Sequence, residues 1–340
     1  MTYTHWDAIV IGGGAAGLSA AQALGRSLRR TLVIDGGLPR NRFASHMHNV
    51  LGLDGTPPLE LVARGRAEAE AYGVEFRTGA VRTVRDGTAD THETTSAGSP
   101  APDRATAPSG FVSIELDSGE TLLTRAVVVA TGVTDELPEI PGLAERWGAS
   151  VLHCPYCHGW EVRGQRLAVV TTSPIGLHQA KLLGQWSDNL TVFTAGLVDD
   201  AGVSALDAVT ERGLLARGVH LVAAPVTEVA GDGAQVTAVR TADGQEYPVD
   251  AVFTGFSMVP HDSFLRDLAL DRSETPMGAF ISVDPMQRTS HPRIWAAGNV
   301  VSPAASVPMV MGAGTLAGAA VNAALVEEDI ALAAAERAGI

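Results

Sequence analysis

The chain has 340 residues, about twice the size of an ordinary domain, so two domains are expected. Hydrophobic residues make up 46% of it and charged residues 18%, which excludes a disordered chain and leaves ample material for a core. The formal net charge of −14 argues against nucleic acid or an anionic membrane as a partner.

A strand over residues 7–11 runs straight into Gly12-Gly13-Gly14-Ala15-Ala16-Gly17, leaving no room for a basic region and cleavage site. A cytoplasmic protein is therefore expected. The loop opens a helix to about residue 28, and a second strand follows over 31–35. Gly12-x-Gly14-x-x-Gly17 in this strand–loop–helix setting matches the dinucleotide fingerprint, with Asp35 standing 18 residues after Gly17. The glycines let the backbone turn tightly and approach a pyrophosphate at the positive end of the helix, and the acid accepts from a ribose hydroxyl. By itself the motif does not separate FAD from NAD.

Residues 88–109 are Thr, Ser, Pro, Ala and Gly with scarcely an apolar anchor, and read as a disordered surface insertion. Strands are expected over 111–116 and 121–130, the second ending in the apolar run Ala126-Val127-Val128-Val129-Ala130. The chain turns around 138–147 and a second unit begins, with strands at 167–170, 190–193, 219–224, 236–241 and 251–254 and a helix at 175–186. It then returns to a C-terminal segment containing Ile294-Trp295-Ala296-Ala297-Gly298-Asn299. The uncharged stretch 300–326 is broken by Pro303 and Pro308 and rich in Gly, Ala and Ser, so a buried loop and helix is expected rather than a membrane span. Strand–helix alternation in both halves implies an α/β protein of two doubly wound, Rossmann-like units with mainly parallel central sheets.

His153-Cys154-Pro155-Tyr156-Cys157-His158 holds the only two cysteines, spaced C-x-x-C. Cysteines three apart can close a small disulfide ring, and a histidine beside a dithiol can take and return the proton released on thiol attack. Three readings are open: a redox dithiol, a zinc site, or an inert pair. The redox reading leads, because structural zinc sites usually draw ligands from two separated clusters and no second cluster exists here. No metal ligand is assigned.

With both motifs in hand, the chain resembles the low-molecular-weight thioredoxin reductase family along nearly its whole length, residues 88–109 excepted. The landmarks are Gly12–Gly17, Ala130-Thr131-Gly132, the pair Cys154/Cys157, and Ala296-Ala297-Gly298-Asn299. The resemblance implies a discontinuous FAD-binding domain, residues 1–134 and 251–340, with the C-x-x-C domain inserted over 135–250. It also implies that FAD is the ligand of the first loop, that Cys157 faces the flavin, and that Cys154 exchanges with substrate. The residues implied around FAD are Gly12, Gly14, Ala16, Gly17, Asp35, Asn41, His46, Asn49, Thr131, Gly132, Gly298 and Asn299. A homodimer is expected on the same ground.

The departures carry the functional expectation. His158 stands where the reductases have an Asp after the second cysteine, and Asn299 where they have an Asp near the ribityl chain. The second glycine loop reads Thr171-Thr172-Ser173-Pro174-Ile175-Gly176, with Thr194 at the acid's position and no arginine for a 2′-phosphate in 195–200. NADPH is therefore not an expected cofactor. These features are similar to those of the thioredoxin-reductase-like dithiol oxidases of the gliotoxin and holomycin type. The expected activity is closure of a disulfide in a small-molecule dithiol, a natural product, with electrons passing to FAD and then to dioxygen to give hydrogen peroxide. Cys154, Cys157, His158 and His153 are the expected catalytic residues. The alternatives are an NADPH- or ferredoxin-dependent disulfide reductase and, in another class, an inactive or metal-loaded flavoprotein sensor.

Overall fold

The computed structural model describes residues 5–86, 110–173, 176–198 and 203–338. The segment 88–109, Pro174, Ile175, Asp199 and Asp200 lie outside the described residues. The described chain divides into two compact units.

The first unit comprises Met1–Arg40, Leu59–Thr134 and Pro260–Ile340. Its elements are β1 (Trp6–Ile11), α1 (Ala15–Arg26), β2 (Thr31–Asp35), α2 (Pro58–Ala71), β3 (Glu75–Thr78), β4 (Val81–Asp86), β5 (Val112–Leu116) and β6 (Thr121–Val129). The second unit, Asn41–Pro58 with Asp135–Val259, takes over along β7 (Val133–Glu136). It continues with β8 (Val151–Leu152), α3 (Pro155–His158), β9 (Leu167–Val170), α4 (Gly176–Leu183), β10 (Leu190–Phe193), α5 (Ala208–Ala216) and β11 (His220–Val222). β12 (Val226–Asp232), β13 (Gln235–Thr241), β14 (Glu246–Pro248), β15 (Ala251–Thr254) and β16 (Ser257–Pro260) complete it. The first unit then resumes with β17 (Arg272–Thr275), β18 (Gly278–Ile281), β19 (Ile294–Ala296) and α6 (Val307–Ala338).

The first sheet runs β3-β2-β1-β6-β5-β4, and β19 also pairs with β6. β1, β2, β3, β6 and β19 are parallel, while β4 and β5 are antiparallel additions at one edge. Its central strands are buried on both faces, which is why they read as continuous apolar runs rather than alternating ones. Ala8, Val10, Val33, Ala126 and Val128 pack toward α1 and α6; Ile9, Ile11, Ile34, Val127 and Val129 pack on the opposite face with Leu265, Ile281 and Val300.

Small residues set how α6 meets α1. A Cβ on Gly314 would lie 2.0 Å from the Ala16 carbonyl oxygen, and one on Gly318 2.5 Å from that of Ala20. The two helix backbones therefore touch, and Val310, Ala317, Val321 and Leu325 of α6 are packed into the core of this unit. Ion pairs finish the contact: Arg29 and Arg125 hold Asp329, and Arg293 holds Glu328.

The second unit has an all-parallel sheet, β11-β10-β9-β15-β8, and a separate antiparallel sheet, β12-β13-β14. Two expectations change here. The strand at 236–241 is not a member of the parallel sheet; its Val236 and Val239 join Val229 in covering one face of it. Residue 251 does not begin the returning segment, because β15 lies between β9 and β8 and is pinned by parallel pairing on both sides. The return falls near Pro260, and residues 41–58 group with the second unit.

Candidate functional site

The glycine loop is tight in two places and open in a third. Gly12 has φ +106°, and a Cβ there would sit 2.4 Å from the Ala130 carbonyl oxygen. A Cβ on Gly17 would sit 1.8 Å from the Gly12 oxygen, so only glycine lets the helix come this near the strand. At Gly14, by contrast, nothing lies within 4 Å of a Cβ. Gly14 is the N-cap of α1, no side chain caps the helix, and its first turn holds no acid. Unused backbone N–H groups beside open space fit an anionic pyrophosphate.

The Asp35 carboxylate accepts from the Gly13 N–H at 2.9 Å and the Gly37 N–H at 3.1 Å, which fixes it at the end of β2 beside the loop. Pairing of β19 with β6 brings Gly298, φ +87°, against Ala16, where an added Cβ would be 2.9 Å from the alanine methyl. Next to it, the Asn299 amide nitrogen donates to the carbonyls of Ser302, Pro303 and Ala305 at 3.0–3.2 Å. That commits Nδ2 to closing the loop ahead of α6 and leaves Oδ1 to offer a ligand. Thr131 donates to the His261 carbonyl at 2.6 Å, Gly132 takes φ +70°, and the His261 N–H returns to the Gly132 carbonyl at 3.1 Å. Gly12, Gly14, Ala16, Gly17, Asp35, Thr131, Gly132, Gly298 and Asn299 thus all belong to the first unit.

The second unit holds Cys154, Cys157, His153, His158, Asn41, His46 and Asn49. Cys154 and Cys157 form a disulfide with Cα atoms 5.2 Å apart. Cys154 is the N-cap of α3, Pro155 opens the turn, and the Cys154 carbonyl accepts from the N–H groups of Cys157 and His158. This single turn brings the second sulfur back to the first. Gly159 follows because a side chain there would meet Trp186 at 2.8 Å. Tyr156 and Trp160 stay exposed on the same turn.

Burial pushes the His158 imidazole below its ordinary range, Glu161 pulls the other way, and His48 and His153 add to the depression. His158 is therefore a neutral ring at neutral pH, the form that accepts a proton. His153 is packed on Phe256 with ring centroids 4.3 Å apart, and Phe256 meets Trp147 edge-on. Of the two loop histidines, His46 is exposed, while His48 is half-buried between Asp54 at 3.4 Å and Glu161 at 3.5 Å. Asn49 takes φ +62° and its N–H donates to Asp54. Sequence reasoning missed Glu161, Gln179, Phe256 and His261. Only Glu161 left a local trace, one helical turn past His158; the others reach the site through sheet order.

The second loop differs from the first. Thr171, at the position of Gly12, is buried and donates to the Phe193 carbonyl at 2.6 Å. A Cβ on Gly176 would meet the Thr171 side chain at 3.0 Å, so the threonine fills space that the first loop leaves to its glycines. Thr194 donates to the Val222 carbonyl at 3.2 Å. Among the described residues no group of three or more His, Cys, Asp or Glu is arranged around a metal.

The family model for pyridine nucleotide-disulphide oxidoreductases matches residues 6–324. The thioredoxin reductase sirT of Leptosphaeria maculans is 30% identical over 341 residues, covering 96% of each chain. The thioredoxin reductase tcpT of Claviceps purpurea is 31% identical over 319 residues, covering 92% of each. The crystal structure of HlmI aligns with a TM-score of 0.86 at 39% identity, over all of this chain and 99% of that one.

Proposed function

Because the chain belongs to the pyridine nucleotide-disulphide oxidoreductase family, as a flavin-dependent thiol/disulfide oxidoreductase of thioredoxin reductase-like fold, we propose that it is a dithiol oxidase acting on a small-molecule natural product. The observation that carries the reading is the contrast between its two loops. The first retains an open glycine and uncapped N–H groups, which fits FAD; the second has a buried threonine in the glycine's place. That contrast supports a substrate dithiol, rather than NADPH, as the source of electrons.

In this reading Gly12, Gly14, Ala16, Gly17, Asp35, Thr131, Gly132, Gly298 and Asn299 hold FAD, with Asn41, His46 and Asn49 at its flavin side. The chemistry FAD supplies when bound is that of a two-electron acceptor for the Cys154/Cys157 dithiol, with dioxygen as final acceptor and hydrogen peroxide as product. A substrate thiolate attacks Cys154, giving a mixed disulfide and a Cys157 thiolate. The second substrate thiol then displaces Cys154, and the substrate leaves as a closed disulfide. His158, neutral in its buried setting, takes and returns the protons of the substrate thiols, with His153 or His46 as helper. The acidic chain acts on a small molecule and not on nucleic acid or a membrane, as a cytoplasmic homodimer.

The test is anaerobic. Flavin absorbance of the purified protein is followed on addition of a small dithiol, NADH or NADPH. Bleaching by dithiol alone, reversed by air with peroxide release, supports the oxidase; rapid bleaching by NADPH overturns it. A Cys157→Ser variant is expected to keep its FAD and lose dithiol-driven bleaching.

A further inference from the structure

Residues 41–58 leave the first unit between β2 and α2 and group with the second. Over 47–56 this excursion closes on itself: the Met47 N–H donates to the Thr56 carbonyl at 3.0 Å and the Gly55 N–H to the Met47 carbonyl at 2.9 Å. Met47 and Val50 are its buried anchors. The closed loop carries His48, whose Nδ1 meets Asp54 at 3.4 Å and whose Nε2 meets Glu161 at 3.5 Å. The Asn49 N–H and then His48 keep Asp54 below the usual carboxylate range. The loop is thus tied to the turn that follows the disulfide, and Glu161 is the tie.

Glu161 stands three residues after His158 on that turn. The Cys154 and Pro155 carbonyls accept from the N–H groups of His158 and Gly159, and Gly159 keeps helical angles. Residues three apart on a helical turn share a face. Among the described residues, the charges that bear on His158 are Glu161, which favours its imidazolium, and His48 and His153, which oppose it. α4 packs against the same turn with His178 and Lys181 as its titratable groups, and Arg163 is turned onto Trp160, 4.1 Å from the ring centre. A buried base that accepts a proton becomes a cation that burial disfavours, so it works best with a fixed carboxylate beside it.

We propose that Glu161 is a positioning residue for His158: its carboxylate, held in place by His48, balances the positive charge that His158 acquires when it takes a substrate proton. The role rests on the dithiol oxidase reading. The substrate S–H proton goes to the His158 ring, and the substrate sulfur bonds to Cys154 Sγ. The Cys154–Cys157 bond breaks, and its electron pair stays on Cys157 as a thiolate. One substrate sulfur is oxidised as Cys157 is reduced, so the step balances without another reagent. Glu161 neither gives nor takes a proton; it keeps its charge throughout. Its side chain is 39% exposed, so solvent screens it and the effect on His158 is nearer one pH unit than the roughly three of a fully buried pair.

Two measurements on the FAD-bound protein test this. Glu161→Gln keeps the length of the side chain and an oxygen for His48 while removing the charge. In the oxidised protein the imidazole signals are followed by NMR as pH falls, with His158→Gln identifying those of residue 158. Glu161→Gln is expected to lower the His158 midpoint by about one pH unit; an unmoved or raised midpoint overturns the proposal. Glu211→Gln, which removes an exposed charge from α5, is expected to leave the midpoint in place, and an equal shift there would also overturn it, as an effect of net charge alone. In the second measurement, anaerobic bleaching by dithiothreitol at neutral pH is expected to slow on the order of tenfold in Glu161→Gln, part of the roughly 10²–10⁴ that a positioned base supplies. In a His158→Gln background the same substitution is expected to add nothing, whereas a merely structural residue would slow it further. If dithiothreitol fails to bleach the unsubstituted protein, the oxidase reading falls, while the charge pairing still stands or falls by the titration.

Discussion

Replacing Gly14 with alanine separates FAD binding from folding. A methyl group at Gly14 meets no atom within 4 Å, and the residue's φ of −77° and ψ of −174° suit any amino acid. The cost to the fold is that of a poorer N-cap, about 1 kcal/mol or less. The methyl is, however, expected to intrude on the open space that a pyrophosphate at the first-turn N–H groups of α1 would take. Each charge-assisted hydrogen bond it lengthens removes about 1.5–3 kcal/mol, so losing one weakens FAD binding roughly tenfold to a hundredfold or more. Flavin titration of the apoprotein reads the affinity, and thermal unfolding of the same apoprotein reads the fold. Gly17→Ala is the contrasting control, since its Cβ would overlap the Gly12 oxygen at 1.8 Å and must spoil loop and fold together. Unchanged FAD affinity in Gly14→Ala would refute the placement of the pyrophosphate at this loop.

Asn299→Asp is expected to destabilise the first unit by about 1–3 kcal/mol, because a carboxylate would face the carbonyls of Ser302, Pro303 and Ala305 where the amide now donates; an unchanged melting temperature contradicts this. Asp329 is held below the usual carboxylate range first by its bond to Arg29, and Glu328 is also lowered, by Arg293 and Arg125 against the cost of burial. A depressed carboxylate stabilises the fold above its unfolded pKa and loses that contribution as pH falls through the folded one. Asp329→Asn should accordingly cost under about 1 kcal/mol at pH 7, since its side chain is 43% exposed, and the difference should shrink in acid unfolding curves. His158 runs the other way. Its folded pKa lies below the ordinary value of about 6.5, so no penalty exists above that pH, and stability declines as pH drops toward the folded value. Dithiol-driven bleaching should hold its rate at pH values where a solvated histidine is already protonated, and lose it only lower; a midpoint at or above the solvated value would refute the buried neutral ring.

Much of this was legible in the chain. Gly12 and Gly17 were readable because each answers a backbone requirement that no other residue meets, Gly14 because the motif's spacing marks open space at a helix N-terminus, and Cys154 and Cys157 because their spacing alone closes a ring. The both-faces burial of β6 was visible in its unbroken valines. The position of β15 was not, because four apolar residues say nothing of which neighbours they pair with. The same holds for β13, whose alternating burial suits any antiparallel partner. Gln179 and Phe256 reach His153 from α4 and from beyond β15, and only the strand order puts them there. Asn299 could be read as a weaker aspartate by position; its bonds to three carbonyls show why an amide stands there.

The contact of α6 with α1 has a consequence for how the protein is made. β1, α1 and β2 leave the ribosome well ahead of β19, which the sheet gains only after residue 296, and the backbones that press on Ala16 and Ala20 belong to Gly314 and Gly318. The parallel sheet of the second unit, by contrast, is built from the continuous stretch between Val151 and Thr254. Synthesis therefore completes the sheet behind the disulfide before the glycine loop has its final support. Capture of the flavin is a late event in biogenesis, and a chain stopped short of Gly314 would carry its cysteines without a firm seat for the cofactor they need.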